Sequence, residues 1–138
     1  MSKVDRIENM KLDGFTTERP VYFKTFSSGD EYGFRKITFG ERIRITEELA
    51  KHSKMEGNKI TSTEPAEMLR IQMDIIYKTL IRANWQKENE KITKETINER
   101  IDSGDFDEIV KFTDSLNFPS GDILEKSGGQ SEAKEKQE

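Results

Sequence analysis

Apolar residues along this chain gather into a few stretches separated by charged ones, and the spacing within each stretch predicts its element. The first, Val21-Tyr22-Phe23-Lys24-Thr25-Phe26, is aromatic and β-branched, a composition that suits a pleated, half-buried surface. Pro20 is acceptable at its start, because a first strand residue need not donate to a ladder. Ser27-Ser28-Gly29-Asp30 is a turn signal and Gly33-Phe34-Arg35-Lys36-Ile37 a second run, so the pair predicts a β-hairpin. Ahead of it, residues 1–19 mix charges of both signs with few large apolar groups and read as a flexible lead-in.

Helical spacing takes over afterwards. Thr38-Phe39-Gly40-Glu41 fits a capping box, in which threonine and glutamate satisfy each other's backbone donors. A helix should follow through about Ser53 with Ile45 and Leu49 on one face, then a polar loop over 54–63 containing Gly57 and Asn58. Thr63 can cap the next helix, Pro65 suits its first turn, and Glu64 and Glu67 suit its positive end. Leu69, Met73, Ile76, Leu80 and Ala83 recur at four-three-four-three spacing, and Met68, Ile71, Ile75, Tyr77 and Ile81 widen the stripe. Arg70, Asp74, Lys78 and Arg82 keep a narrow polar strip. One central helix over 64–85, closing at Asn84-Trp85, is thus expected to be buried on several sides. Residues 86–91 are a charged link. Thr93 can cap a short helix carrying Ile97 and Ile101, which Ser103-Gly104 breaks. Asp105 then caps a last helix, with Glu108 three positions on and a face of Phe106, Ile109, Val110, Thr113 and Leu116. Pro119, Gly121, Gly128 and Gly129 end regular structure, and 119–138 reads as a disordered polar tail. The expected fold class is mainly α: a small helical domain of about four helices over 20–118, with an N-terminal β-hairpin and disordered ends.

Composition narrows the function. Of 138 residues, 36% are charged and 32% hydrophobic, which leaves a modest core and makes help from self-association plausible. The net charge of −4 does not favour nucleic acid. Arg35, Lys36, Arg42 and Arg44 make a small basic cluster, but Glu41, Glu47 and Glu48 sit among them. There is no cysteine, which excludes disulfides, thiolate nucleophiles and cysteine-based zinc sites. The opening residues lack an apolar h-region and no apolar run reaches the length of a membrane span, so a cytoplasmic protein without membrane contact is expected.

Candidate chemistry is sparse. The only histidine, His52, could be a general base, but a catalytic histidine needs an orienting group, and none is near in sequence; it reads as solvated at a helix end. The acidic run 102–108 lacks the glycine and glutamate offsets of a calcium loop and reads as a helix break with a fresh cap. Residues 29–33 lack the Gly-Lys-Ser/Thr of a phosphate loop. No catalytic, cofactor or metal site is expected, and the chain reads as a non-enzyme that binds another protein. Trp85, the sole tryptophan, either covers its own core or anchors a partner. Phe118, Ile123 and Leu124, the last apolar residues, are the other candidate partner-binding positions.

The run Tyr32-Gly33-Phe34-Arg35-Lys36-Ile37-Thr38-Phe39-Gly40-Glu41-Arg42, the apolar helix ending at Trp85 and the final helix pair carry a resemblance. In texture and order over about 20–118, the chain resembles the tail assembly chaperones of long-tailed bacteriophages. The resemblance implies a non-catalytic protein of the host cytoplasm that binds and solubilises the tape measure protein and helps recruit tail tube subunits. It also implies absence from the finished particle, and a frameshifted longer form is common in that family. A homo-oligomer fits such a role. Two other functions stay open: a structural tail or connector component of the virion, and a small nucleic-acid-binding regulator.

Overall fold

The aromatic run around Val21 forms a strand, β2 (Arg19–Thr25), which the 27–30 turn folds back onto β3 (Glu31–Phe34). Gly29 takes a φ of +96° in that turn, a conformation open to glycine at no steric cost. In this computed structural model, which describes residues 3–56 and 59–118, the hairpin is not isolated. The segment expected to be a flexible lead-in supplies β1 (Arg6–Met10), antiparallel to β2. Residues expected to finish the central helix supply β6 (Leu80–Ala83), antiparallel to β3. A four-stranded antiparallel sheet of order β1-β2-β3-β6 results, so the fold is mixed α/β and not mainly α. The tail expected over 119–138 lies outside the described residues.

The loss of the long helix has a local cause. Helix α2 runs over Pro65–Thr79, and Leu80 turns extended at φ −74° and ψ 115° while its N–H still reaches the Ile76 carbonyl. Tyr32 then pairs with Ala83 and Phe34 with Leu80, and the Arg35 N–H donates to the Thr79 carbonyl at 2.9 Å. Apolar residues at 76, 80 and 83 satisfy a helical period, but Leu80 and Ala83 are buried equally well as strand residues. The buried face of α2 is Met68, Ile71, Ile75, Ile76 and Thr79, while Leu69 is 56% exposed and Tyr77 41%. The apolar stripe is therefore turned about one residue from the expected one.

Helix α1 (Phe39–Lys51) starts at the expected capping box. The stretch 54–63, expected as a loop, instead carries a two-stranded antiparallel sheet, β4 (Ser53–Glu56) with β5 (Lys59–Thr63). Thr63 belongs to β5, its hydroxyl 2.7 Å from that of Ser53, and Glu64 takes the cap position of α2. Thr93 caps α3 (Lys94–Arg100) as expected. The cap of α4 (Ser103–Asn117) is Asp102, three residues earlier than expected, and its carboxylate accepts the Asp105 N–H at 2.8 Å. Asp105 is buried and accepts the Ser28 hydroxyl, while Glu108 accepts the Ser27 N–H, tying the hairpin turn to α4.

Helices α2, α3 and α4 cover one face of the sheet. The main core joins Phe26, Tyr32, Phe34 and Leu80 to Ile76, Ile97, Ile109 and Phe112. Phe112 was not on the expected face of the last helix, yet it is 1% exposed and packs edge-on to Phe26 at 5.9 Å. A second cluster of Leu49, Met68, Ile71, Ile75 and Phe118 lies between α1, α2 and the end of α4. On the other sheet face Val21, Phe23 and Leu12 make a third, under the loop that follows β1. There the Phe23 ring lies across Gly33: a β-carbon on Gly33 would sit 2.5 Å from Phe23 Cε2. Gly33→Ala should therefore cost about 1–3 kcal/mol, the usual penalty of overpacking. Thermal melts check this, and an unchanged midpoint would show the ring free to move. No helix among the described residues is long and apolar enough to cross a membrane.

Candidate functional site

The site grows from the connection between β3 and α1. Arg35 leaves the sheet and donates twice to Glu41, at 2.9 Å to each carboxylate oxygen, with both side chains nearly buried. Glu41 also accepts the Thr38 N–H at 2.8 Å, and the Thr38 hydroxyl accepts the Glu41 N–H at 3.1 Å. One carboxylate thus serves both the capping box and the arginine. The hydrogen bonds from Arg35 hold its pKa down at about 2. The same anchoring leaves Phe39, the first helical residue, 76% exposed.

Behind Phe39 a cleft of about 410 Å³ opens, with Phe15, Pro20, Ile37 and Phe39 as its apolar lining and Arg19, Arg35 and Lys36 as its charged one. Arg19 and Arg35 lie over the Phe15 ring at 4.7 and 5.3 Å, which seats it in the cleft wall. Glu41 neutralises Arg35, whereas Arg19 and Lys36 have no carboxylate partner among the described residues. The basic cluster read from the sequence is therefore dispersed. Arg42 donates to the Asn117 carbonyl at 2.5 Å and lies over Phe118, and Arg44 is exposed on α1. Arg19 rests on Phe15 and Lys36 lies 5.5 Å over the Tyr22 ring; two cations without a carboxylate are few for a nucleic-acid groove, but they suit an apolar segment flanked by carboxylates.

The predicted partner-binding residues lie elsewhere. Trp85 follows β6, half-buried and edge-on to Tyr32, with its indole N–H donating to the Tyr32 hydroxyl at 2.9 Å and Arg100 over its ring. Phe118 is buried in the α1–α2 cluster. Ile123 and Leu124 lie outside the described residues. Tyr32→Phe removes the bond to the indole and should cost about 1 kcal/mol in a denaturant titration followed by Trp85 fluorescence. No loss of stability would mean that water replaces the bond at no cost.

His52 stands at the end of the first helix as expected, but it is half-buried among carboxylates rather than solvated. It caps the end of α1 half-buried, its Nε2 3.5 Å from Glu67 and 3.8 Å from Glu48. Glu64 completes a group whose ligating atoms all lie within 4.8 Å. Arg70, however, bonds the same Glu67 oxygen at 2.8 Å and Glu48 at 2.9 Å, so this is an arginine-bridged ion-pair network joining α1 to α2. A cation there would sit against a guanidinium. A smaller cleft of about 230 Å³ on the sheet's other face is also ion-paired, through Arg6 with Glu8 and Glu31.

Sequence reasoning did not single out Phe15, Arg19 or Phe39 for this cleft. The available signal was Phe39 itself, a large apolar residue out of phase with Ile45 and Leu49 on its own helix. Fold and cleft together define a mixed α/β protein with an apolar, basic-rimmed surface groove. Comparison with protein-family models, curated proteins and solved structures finds no match to this chain.

Proposed function

We propose that this chain is a non-catalytic binding protein that receives an apolar helical segment of a larger partner in the Phe15–Phe39 cleft. The observation that carries the reading is Phe39, 76% exposed at the mouth of an apolar cleft beside two cations that have no carboxylate partner among the described residues, in a protein of net charge −4. Exposed aromatic residues rimmed by charge are the usual make-up of a protein-binding patch. An amphipathic helix with an acidic flank is its natural occupant, since Arg19 and Lys36 favour carboxylates there.

The cellular role proposed is tail assembly chaperone, acting in the host cytoplasm on the tape measure protein and tail tube subunits. Support for that step is the resemblance over residues 32–42 and the final helix pair. The helix once expected to run to Trp85 lends it nothing, because α2 stops at Thr79. Co-expression with a phage tape measure protein is the test. A soluble complex that co-elutes, and that Phe39→Glu or Lys36→Glu weakens, is expected. An insoluble partner that never co-elutes, with the chain present in purified virions, would replace the chaperone by a structural tail component.

A further inference from the structure

The described chain ends beside the cleft. Asn117, the last residue of α4, accepts the Ile37 N–H with its side chain at 2.8 Å, and its carbonyl accepts from Arg42. Phe118 follows, buried beneath the Arg42 guanidinium in a cluster that Ile37 also joins. Ile37 is at the same time part of the apolar lining of the cleft, with Thr38 and Phe39 next along the wall. The sequence beyond Phe118 is Pro119-Ser120-Gly121-Asp122-Ile123-Leu124-Glu125, and Ile123 and Leu124 are the only large apolar residues in 119–138. A carboxylate stands on each side of that pair. We infer that residues 122–125 fold back into the Phe15–Phe39 cleft of the same molecule, where they compete with the partner.

The match lies in chemistry, charge and reach. Phe15, Pro20, Ile37 and Phe39 offer an apolar surface to Ile123 and Leu124. Arg19 and Lys36, which have no carboxylate partner among the described residues, are two cations for Asp122 and Glu125, whereas Arg35 is already held by Glu41. Five peptide steps separate Phe118 from Ile123, a reach of up to about 17 Å, so the motif arrives at the cleft without any movement of α4. A tether that short holds the motif at an effective concentration on the order of millimolar, and a contact of millimolar affinity is then about half-formed. A tighter-binding helix displaces such a contact, so the tail shields the cleft of the free protein without closing it to the partner. The competition rests on the proposed function; the docking itself does not.

The chain has no cysteine, so Ser127→Cys takes a single nitroxide label two residues beyond the motif. In the free, full-length protein the label should broaden the amide signals of Phe15, Arg19 and Phe39. Ile123→Ser combined with Leu124→Ser should abolish the broadening at Phe15 and Arg19 and leave the positions of signals from the helices unchanged. Asp122→Asn combined with Glu125→Gln, which keeps the apolar pair, should retain part of the effect but lose its sensitivity to salt. Equal broadening from the native and the Ile123→Ser, Leu124→Ser tails would overturn the inference. If labelled molecules broaden the cleft signals of unlabelled ones mixed with them, the tail of another copy fills the cleft, which would overturn the intramolecular contact. None of these measurements involves the partner, so the docking and the proposed function fail separately. Where both hold, the Ile123→Ser, Leu124→Ser chain should bind the helical partner about twofold more tightly, because half of the cleft is no longer blocked. An unchanged affinity beside observed docking would overturn the competition.

Discussion

Ile76→Asp is expected to unfold the protein at room temperature, while Arg70→Ala, six residues earlier on the same helix, should leave the melting temperature nearly unchanged. Ile76 is 1% exposed and meets the main core where the sheet, α3 and α4 converge. A carboxylate there has no partner, and burying an unpaired charge costs several kcal/mol. Total stability for a chain of this size is about 5–15 kcal/mol, and a lean apolar content argues for the lower end. Arg70, by contrast, is nearly half exposed, and its contacts with Glu48, Glu67 and Asp74 are surface ion pairs in high dielectric. Far-ultraviolet dichroism melts of both variants decide it. A folded Ile76→Asp with a wild-type midpoint would mean that the core is not where α2 meets the sheet.

The second large effect is acid lability centred on Glu41. Its carboxyl falls from 4.5 in the unfolded chain to about 2 in the folded one, chiefly through the hydrogen bonds from Arg35. The unfolded state therefore binds the proton first, and stability falls as pH falls. The contribution is fully present above about pH 5 and disappears as pH drops through 4.5 toward 2, for a total of about 3 kcal/mol. Glu41→Gln should lose a similar amount at neutral pH, because it leaves the nearly buried Arg35 unpaired. Urea titrations across that pH range should show the gap between wild type and Glu41→Gln closing as pH falls. A constant gap would mean that the ion pair contributes nothing to folding.

Features with a local cause were legible in the sequence. The Thr38–Glu41 box, Pro65 in the first turn of α2, Thr93 as a cap and the glycine turn of the hairpin each depend on residues within four positions. What needed distant partners was hidden. Strand β1, Arg6-Ile7-Glu8-Asn9-Met10, carries only two large apolar residues, with Ile7 56% exposed, and is a strand because β2 supplies its ladder. Strand β6 was masked because Leu80 and Ala83 continue the period of α2. The cleft was hidden for the same reason. Arg35 and Lys36 stood out as basic, but Phe15 and Arg19 reach them only once β2 and β3 have paired, and the neutralisation of Arg35 depends on the capping-box geometry.

Hydrogen exchange on the complex tests the central claim most directly. With the long helical partner bound, added amide protection should appear at residues 15–20 and 35–43, the walls of the cleft and the start of α1. Amides around Trp85 and on α4 should exchange as in the free protein. Protection that centres on Trp85 and leaves the cleft unchanged would contradict the account, and so would the absence of any new protection in a partner-saturated sample.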